Sequence, residues 1–207
     1  MPVAAIPRAR VVAATQPLDG SFFQQPWVWQ TDTGKSVRLA DLGCTPLLIA
    51  MFFTSCSGTC GVTVSHMEKI NASLTPDQRQ QARFVLVSFD SEYDTPGVLA
   101  QYRAQHRLPS DWILLRGSPQ ATRELANALA VQFKSDPARH ILHGTQITLL
   151  DKQGHITARA AGVNADLDAL IDAAKLAISP PLASTERLQP VPPAKKPAKD
   201  PAFVDVR

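Results

Sequence analysis

Between roughly Gly20 and Ile178 the chain alternates short apolar runs with segments of helical period. Pro46-Leu-Leu-Ile-Ala-Met-Phe-Phe53 is unbroken apolar sequence, as expected of a strand buried on both faces. Arg83-Phe-Val-Leu-Val-Ser-Phe89 predicts a second buried strand, and Trp112 to Leu115 a short third. From about Gly61, Val62, Met67, Ile70 and Leu74 recur near a helical period. Thr95-Pro96 and Ser118-Pro119 each pair an N-cap with a proline at the first helical position, opening helices that carry Leu99 and Tyr102, then Leu125 and Leu129. Trp27 to Gln30 and Ser36 to Leu39 flank Thr31-Asp-Thr-Gly34 and predict a hairpin. Thr145 to Leu150 and His155 to Ala160 alternate about Asp151-Lys-Gln-Gly154, a second hairpin. Asn164 is the expected cap of a last helix holding Leu167, Leu170, Ile171 and Ala174. The order is β-hairpin, β, α, β, α, β, α, β, β, α. Parallel strands with crossover helices, closed by an antiparallel hairpin and a helix, make a thioredoxin-like α/β fold with an N-terminal β-hairpin.

The pattern stops at both ends. Residues 1–19 show no period and no apolar centre of the kind an export signal needs, so they are expected to be a flexible segment. Residues 179–207, rich in proline and lysine, cannot bury enough apolar surface to offset their ordering entropy and are expected to form a disordered tail. One domain over 20–178 remains. With 44% hydrophobic and 19% charged residues the whole chain has the composition of a globular protein, and no apolar run is long enough to cross a bilayer. The formal net charge of +3 among 21 basic and 18 acidic residues does not suit a protein whose task is gripping nucleic acid.

Three cysteines exclude a disulfide scaffold, and two of them carry the candidate chemistry. Cys56-Ser-Gly-Thr-Cys60 lies between the first buried strand and its following helix, where α/β sheets expose reactive loops. Cysteines four apart around a loop or first helical turn bring their α-carbons to about 6 Å, within disulfide range. A thiol at a helix N-terminus is also expected to be acidified by the exposed N–H groups. The pair can then cycle between dithiol and disulfide, or hold a soft metal ion; copper(I) suits two thiolates, and an imidazole nearby would admit copper(II). The alternative is two small side chains packed at a helix start. Cys44, just before the strand, reads as structural.

Phe52-Phe-Thr-Ser-Cys56-Ser-Gly-Thr-Cys60 resembles the aromatic strand and CxxxC loop of the SCO/SenC family, copper-handling thioredoxin-fold proteins associated with assembly of cytochrome c oxidase. Ser88-Phe-Asp90-Ser-Glu-Tyr-Asp94-Thr-Pro96 resembles that family's acidic segment, and His143-Gly144 its histidine at the entry to the terminal hairpin. The likeness covers about residues 20–178. It implies that Cys56, Cys60 and His143 are copper ligands for Cu(I) and Cu(II), and that an aspartate, Asp90 or Asp94, tunes the site from beside it. It also implies a redox-active metallochaperone that delivers copper to a respiratory oxidase, or reduces the copper-site cysteines of its subunit II or of another copper/thiol protein. Gly61, Ser91 and Gly144 stand where the family usually has proline, proline and serine.

His140 is the near competitor of His143, while His66, His106 and His155 are expected to face away from the site. Asp94-Thr95-Pro96 is ordinary helix-start chemistry, which makes Asp94 the more structural of the two aspartates. The competing reading is a general thiol–disulfide oxidoreductase of the thioredoxin superfamily, and a third is a non-catalytic binding domain. A peroxidase fails on its own motif, because the proline and threonine expected seven and three residues before the reactive cysteine are absent. A cycling CxxxC pair fits an oxidising compartment, so a periplasmic and membrane-associated location is expected.

Overall fold

The computed structural model describes residues 12–13, 20–43, 45–56, 58, 60–135 and 141–178. Cys44, His140 and the segments 1–11, 14–19 and 179–207, on which several sequence expectations fall, lie outside the described residues. The strands are β1 (Val12–Ala13), β2 (Trp29–Thr31), β3 (Ser36–Val37), β4 (Leu47–Phe52), β5 (Arg83–Ser88), β6 (Ile113–Arg116), β7 (Phe133–Ser135), β8 (Ile141–His143), β9 (Gln146–Leu150) and β10 (Ile156–Ala161). The helices are α1 (Cys60–Ser73), α2 (Pro76–Gln80), α3 (Pro96–His106), α4 (Pro119–Leu129) and α5 (Asp168–Ile178).

The two apolar runs become the parallel centre of an eight-stranded sheet ordered β1-β10-β9-β4-β5-β6-β2-β3. All six side chains of β4 are buried, and so are five of the six in β5, because helices cover both faces. Register then decides what meets at the sheet's end. β4 and β5 run parallel from Leu47↔Arg83 to Phe52↔Ser88, so Phe53 and Phe89 leave the sheet side by side. β9 runs antiparallel to β4 from Leu47↔Leu150 to Ala50↔Ile147, which returns the chain before β9 to that same end. Strand pairing therefore brings the CxxxC loop and the acidic segment to one end of the sheet, and it returns the chain that carries His143 to that end.

Two of the three caps expected from the sequence form. Thr95 and Ser118 each accept a backbone N–H at the third helical position, with a proline opening the helix. Thr75-Pro76 carries the same signal plus a capping box with Gln78, and it opens α2, an element the apolar pattern did not suggest because none of its residues is buried. Asn164 is not a cap. Gly162, at φ 94°, turns the chain, and Ala165 N–H closes that turn onto the Gly162 carbonyl. The helix starts later, at Asp168, whose N–H is taken by the Asp166 carboxylate. The apolar pattern suggested no element between Leu129 and Thr145, yet Phe133–Ser135 and Ile141–His143 pair as a separate two-stranded ribbon.

Candidate metal and thiol site

Cys56 lies in the loop after β4, its N–H donated to the Phe53 carbonyl at 3.3 Å, and Cys60 is the first residue of α1. His143 ends β8 and reaches them from the ribbon. Its Nε2 is 3.2 Å from the Cys60 sulfur. The two sulfurs and one ring nitrogen all lie within 4.8 Å of one another, and no other group of metal-ligating side chains this close occurs among the described residues. Donors about 2.0–2.3 Å from a single first-row metal ion stand about 3–4 Å apart, so small rotations of the side chains bring these three onto one ion. Both cysteines are free thiols.

The electrostatics correct one expectation. Cys60 sits at a helix N-terminus, but it is only 1% exposed, and burial raises its thiol pKa far above 9.0, helped by the hydrogen bond with Cys56. Desolvation of the thiolate outweighs the helix end here. Cys56 is more accessible and partly buried. His143 moves the other way, its pKa lowered from 6.5 mainly by burial, so at neutral pH the imidazole is uncharged and offers a lone pair. A cation between these groups would supply the positive charge that the buried sulfur lacks.

The acidic segment lies beside the site and is not part of the donor cluster. Asp94, with no exposed surface, accepts from the Thr54 N–H at 3.0 Å, from the Thr54 hydroxyl and from the Ser88 hydroxyl. It thus ties the ends of β4 and β5 together two residues before Cys56. Asp90 accepts the Tyr93 N–H at 3.1 Å, and its own N–H goes to Ser88 Oγ at 2.9 Å, which shapes the turn. The carboxylate of Asp94 is spent on these strand-end bonds, and the cap before Pro96 is Thr95. His106 stacks on Tyr102 at the surface, His155 pairs with Asp151, and His66 is half-buried on α1; none joins the cluster.

Sequence reasoning missed the aromatic wall. Phe53 meets the His143 ring edge-on at a centroid distance of 5.7 Å, and Phe89 packs against it at 4.8 Å. Phe89 also touches Phe133 of β7 at 5.0 Å. Phe53 and Phe89 were legible only as the last apolar residues of two core strands, and Phe133 carried no signal at all.

The SCO1/SenC family model matches residues 15–178. The chain is 27% identical to the SCO1 protein homolog of Bacillus subtilis (strain 168) over 158 residues, 74% of this chain and 81% of the relative. Among solved structures it is similar to BsSco, a member of the Sco family of cytochrome c oxidase assembly proteins in which a disulfide switch was identified: TM-score 0.66, 26% identity, 79% of this chain and 96% of that one. It also superimposes on copper-bound ScoI of Bradyrhizobium japonicum with a TM-score of 0.63 at 19% identity, covering 74% of this chain and 98% of that one, a likeness of fold. The architecture is thus the thioredoxin-like one expected from the order of elements.

Proposed function

The chain belongs to the SCO1/SenC family, and we propose that it binds copper through Cys56, Cys60 and His143 and serves assembly of a respiratory cytochrome c oxidase. The observation that carries this is the convergence of two sulfurs and one imidazole nitrogen within 4.8 Å at the end of a rigid sheet. Two thiolates are a soft pair suited to copper(I), and a neutral imidazole extends the set toward copper(II). The same two thiols can instead reduce a partner's disulfide: the more accessible Cys56 attacks it to form a mixed disulfide, Cys60 closes the Cys56–Cys60 bond, and the partner's two sulfurs leave as thiols carrying the two electrons and two protons. Copper delivery to the oxidase and reduction of a partner's copper-site cysteines are therefore two uses of one pair. The partner is subunit II or another protein with a copper or dithiol site. A pair that cycles in this way belongs in an oxidising compartment, and we place the protein in the periplasm. Among the described residues no helix is long and apolar enough to cross a membrane.

The general oxidoreductase differs from this reading in one residue. Thiol–disulfide exchange needs the two sulfurs and a suitable thiolate, not an imidazole from a separate ribbon. His143→Ala should cut copper(II) affinity by about 10–100-fold and shift the sulfur-to-copper absorption, leaving copper(I) binding and Cys56–Cys60 disulfide formation close to the parent. His140→Ala is the matched control and should bind copper(II) normally. Parent-like copper(II) binding in both variants would move the oxidoreductase ahead; loss in His140→Ala alone would transfer the ligand role to that residue.

A further inference from the structure

We propose that Phe89 is a positioning residue for the copper site, packing the His143 ring so that its Nε2 faces the cysteine pair, while the Gly144 carbonyl selects the tautomer that leaves that nitrogen bare. The proposal rests on His143 acting as a ligand. It starts from an oddity of the fold: His143 is carried by the β7–β8 ribbon, which is hydrogen-bonded as its own sheet and not as part of the eight-stranded one. Strand pairing fixes the cysteine loop, yet it does not fix the angle at which the ribbon meets it. Side-chain packing must do so.

Phe89 stands at the join. Its N–H continues the central ladder onto the Phe52 carbonyl at 2.7 Å, so its backbone is as rigid as the sheet. Its ring, 5% exposed in total, touches Phe133 on one strand of the ribbon and His143 on the other, at 5.0 and 4.8 Å with a 39° tilt in each case. Phe53 closes a second side of the imidazole at 80°. Two rings at different angles leave the imidazole one plane in which to lie.

The hydrogen bonds then choose the nitrogen. His143 Nδ1 lies 3.0 Å from the Gly144 carbonyl oxygen, which can only accept, so Nδ1 carries the proton. Nε2 is left with its lone pair, and it faces the Cys60 sulfur at 3.2 Å. Partners of this kind fix both ring orientation and tautomer for a metal-bound histidine.

Two measurements test this. In the copper-free parent, long-range proton–nitrogen NMR of the His143 ring should show one dominant tautomer, protonated at Nδ1; the Nε2–H tautomer, or an even mixture, would overturn the proposal. Phe89→Leu keeps an apolar side chain but removes the ring face. It should weaken copper(II) about 10–100-fold, broaden or shift the sulfur-to-copper absorption, and leave copper(I) affinity near that of the parent. Phe84→Leu makes the same exchange in the stacked Phe84–Trp112 pair elsewhere in the core and should leave the copper(II) spectrum unchanged. An equal loss in Phe84→Leu would reduce the effect to general loosening and overturn the role of Phe89. Loss of copper(II) in His143→Ala but not in Phe89→Leu would overturn the positioning role and leave the ligand assignment standing. Loss in neither would overturn both.

Discussion

Three hydrogen-bond donors surround the Asp94 carboxylate where no water reaches it. Burial pushes its pKa above 3.8, and this outweighs the donors from Ser88 and Thr54, which pull it down. The protonated acid is therefore favoured by folding. Its contribution to stability is complete below the unfolded value and is lost as pH rises through the higher folded one. Asp94→Asn has nothing to titrate at this position. Denaturation at a series of pH values from about 4 to about 7 should show the stability of the parent, relative to that variant, declining as pH rises. A relative stability that instead climbs with pH would mean that the ionised carboxylate is the form the site is built to hold. Chemically, the residue matters because Thr54 is two positions from Cys56: the bond that stabilises the strand end also sets the start of the loop that carries Cys56.

At the scale of elements, close approach and capping decide which substitutions the sheet tolerates. A Cβ on Gly117 would lie 2.5 Å from the Trp29 ring, whose buried face covers the end of β6. Gly117→Ala must displace a packed indole and should cost about 1–3 kcal/mol in equilibrium unfolding. Gly97, in the first turn of α3, has nothing within 4 Å of an added Cβ. Gly97→Ala should therefore stabilise by about 0.4–1 kcal/mol through the unfolded chain. If Gly117→Ala proves as stable as the parent or more so, the packing of Trp29 on Gly117 is not as described. The same local chemistry explains what could be read in advance. β4, β5 and the caps at Thr95 and Ser118 were legible because an unbroken apolar run or a Ser/Thr-Pro step states its structure within a few residues. The ribbon was not, since Phe133–Ser135 and Ile141–His143 are too short to show a period and are strands only because they meet each other. Asn164 misled because an asparagine serves a turn as well as a cap, and Gly162 had already claimed it for the turn. His143 itself was chosen through resemblance; without the register of β9 on β4, nothing in its neighbours separates it from His140.

At the scale of the whole molecule, the proposed site asks one pair of sulfurs to serve two incompatible states. Copper needs both as thiolates, whereas the disulfide has spent those electrons on an S–S bond and retains no anionic donor. Metal and disulfide should exclude each other. Mild oxidation should join Cys56 to Cys60 and leave Cys44 as the free thiol in mass spectrometry of the intact chain. The oxidised protein should then take up no copper(I), and phosphine reduction should restore one copper per chain. Because the proposed ligands come from the loop after β4, the start of α1 and the ribbon, an ion bound there would join three parts of the fold that unfolding separates. Copper(I) at about 100 times its dissociation constant should stabilise the native state by about 2.7 kcal/mol. For a chain of this size that corresponds to a rise in melting temperature on the order of 5–10 °C. His143→Ala should keep most of this rise with copper(I), since two thiolates suffice, and lose it with copper(II). Copper(I) that raises the melting temperature of the oxidised chain as much as that of the reduced chain would place the metal somewhere other than the Cys56–Cys60 pair.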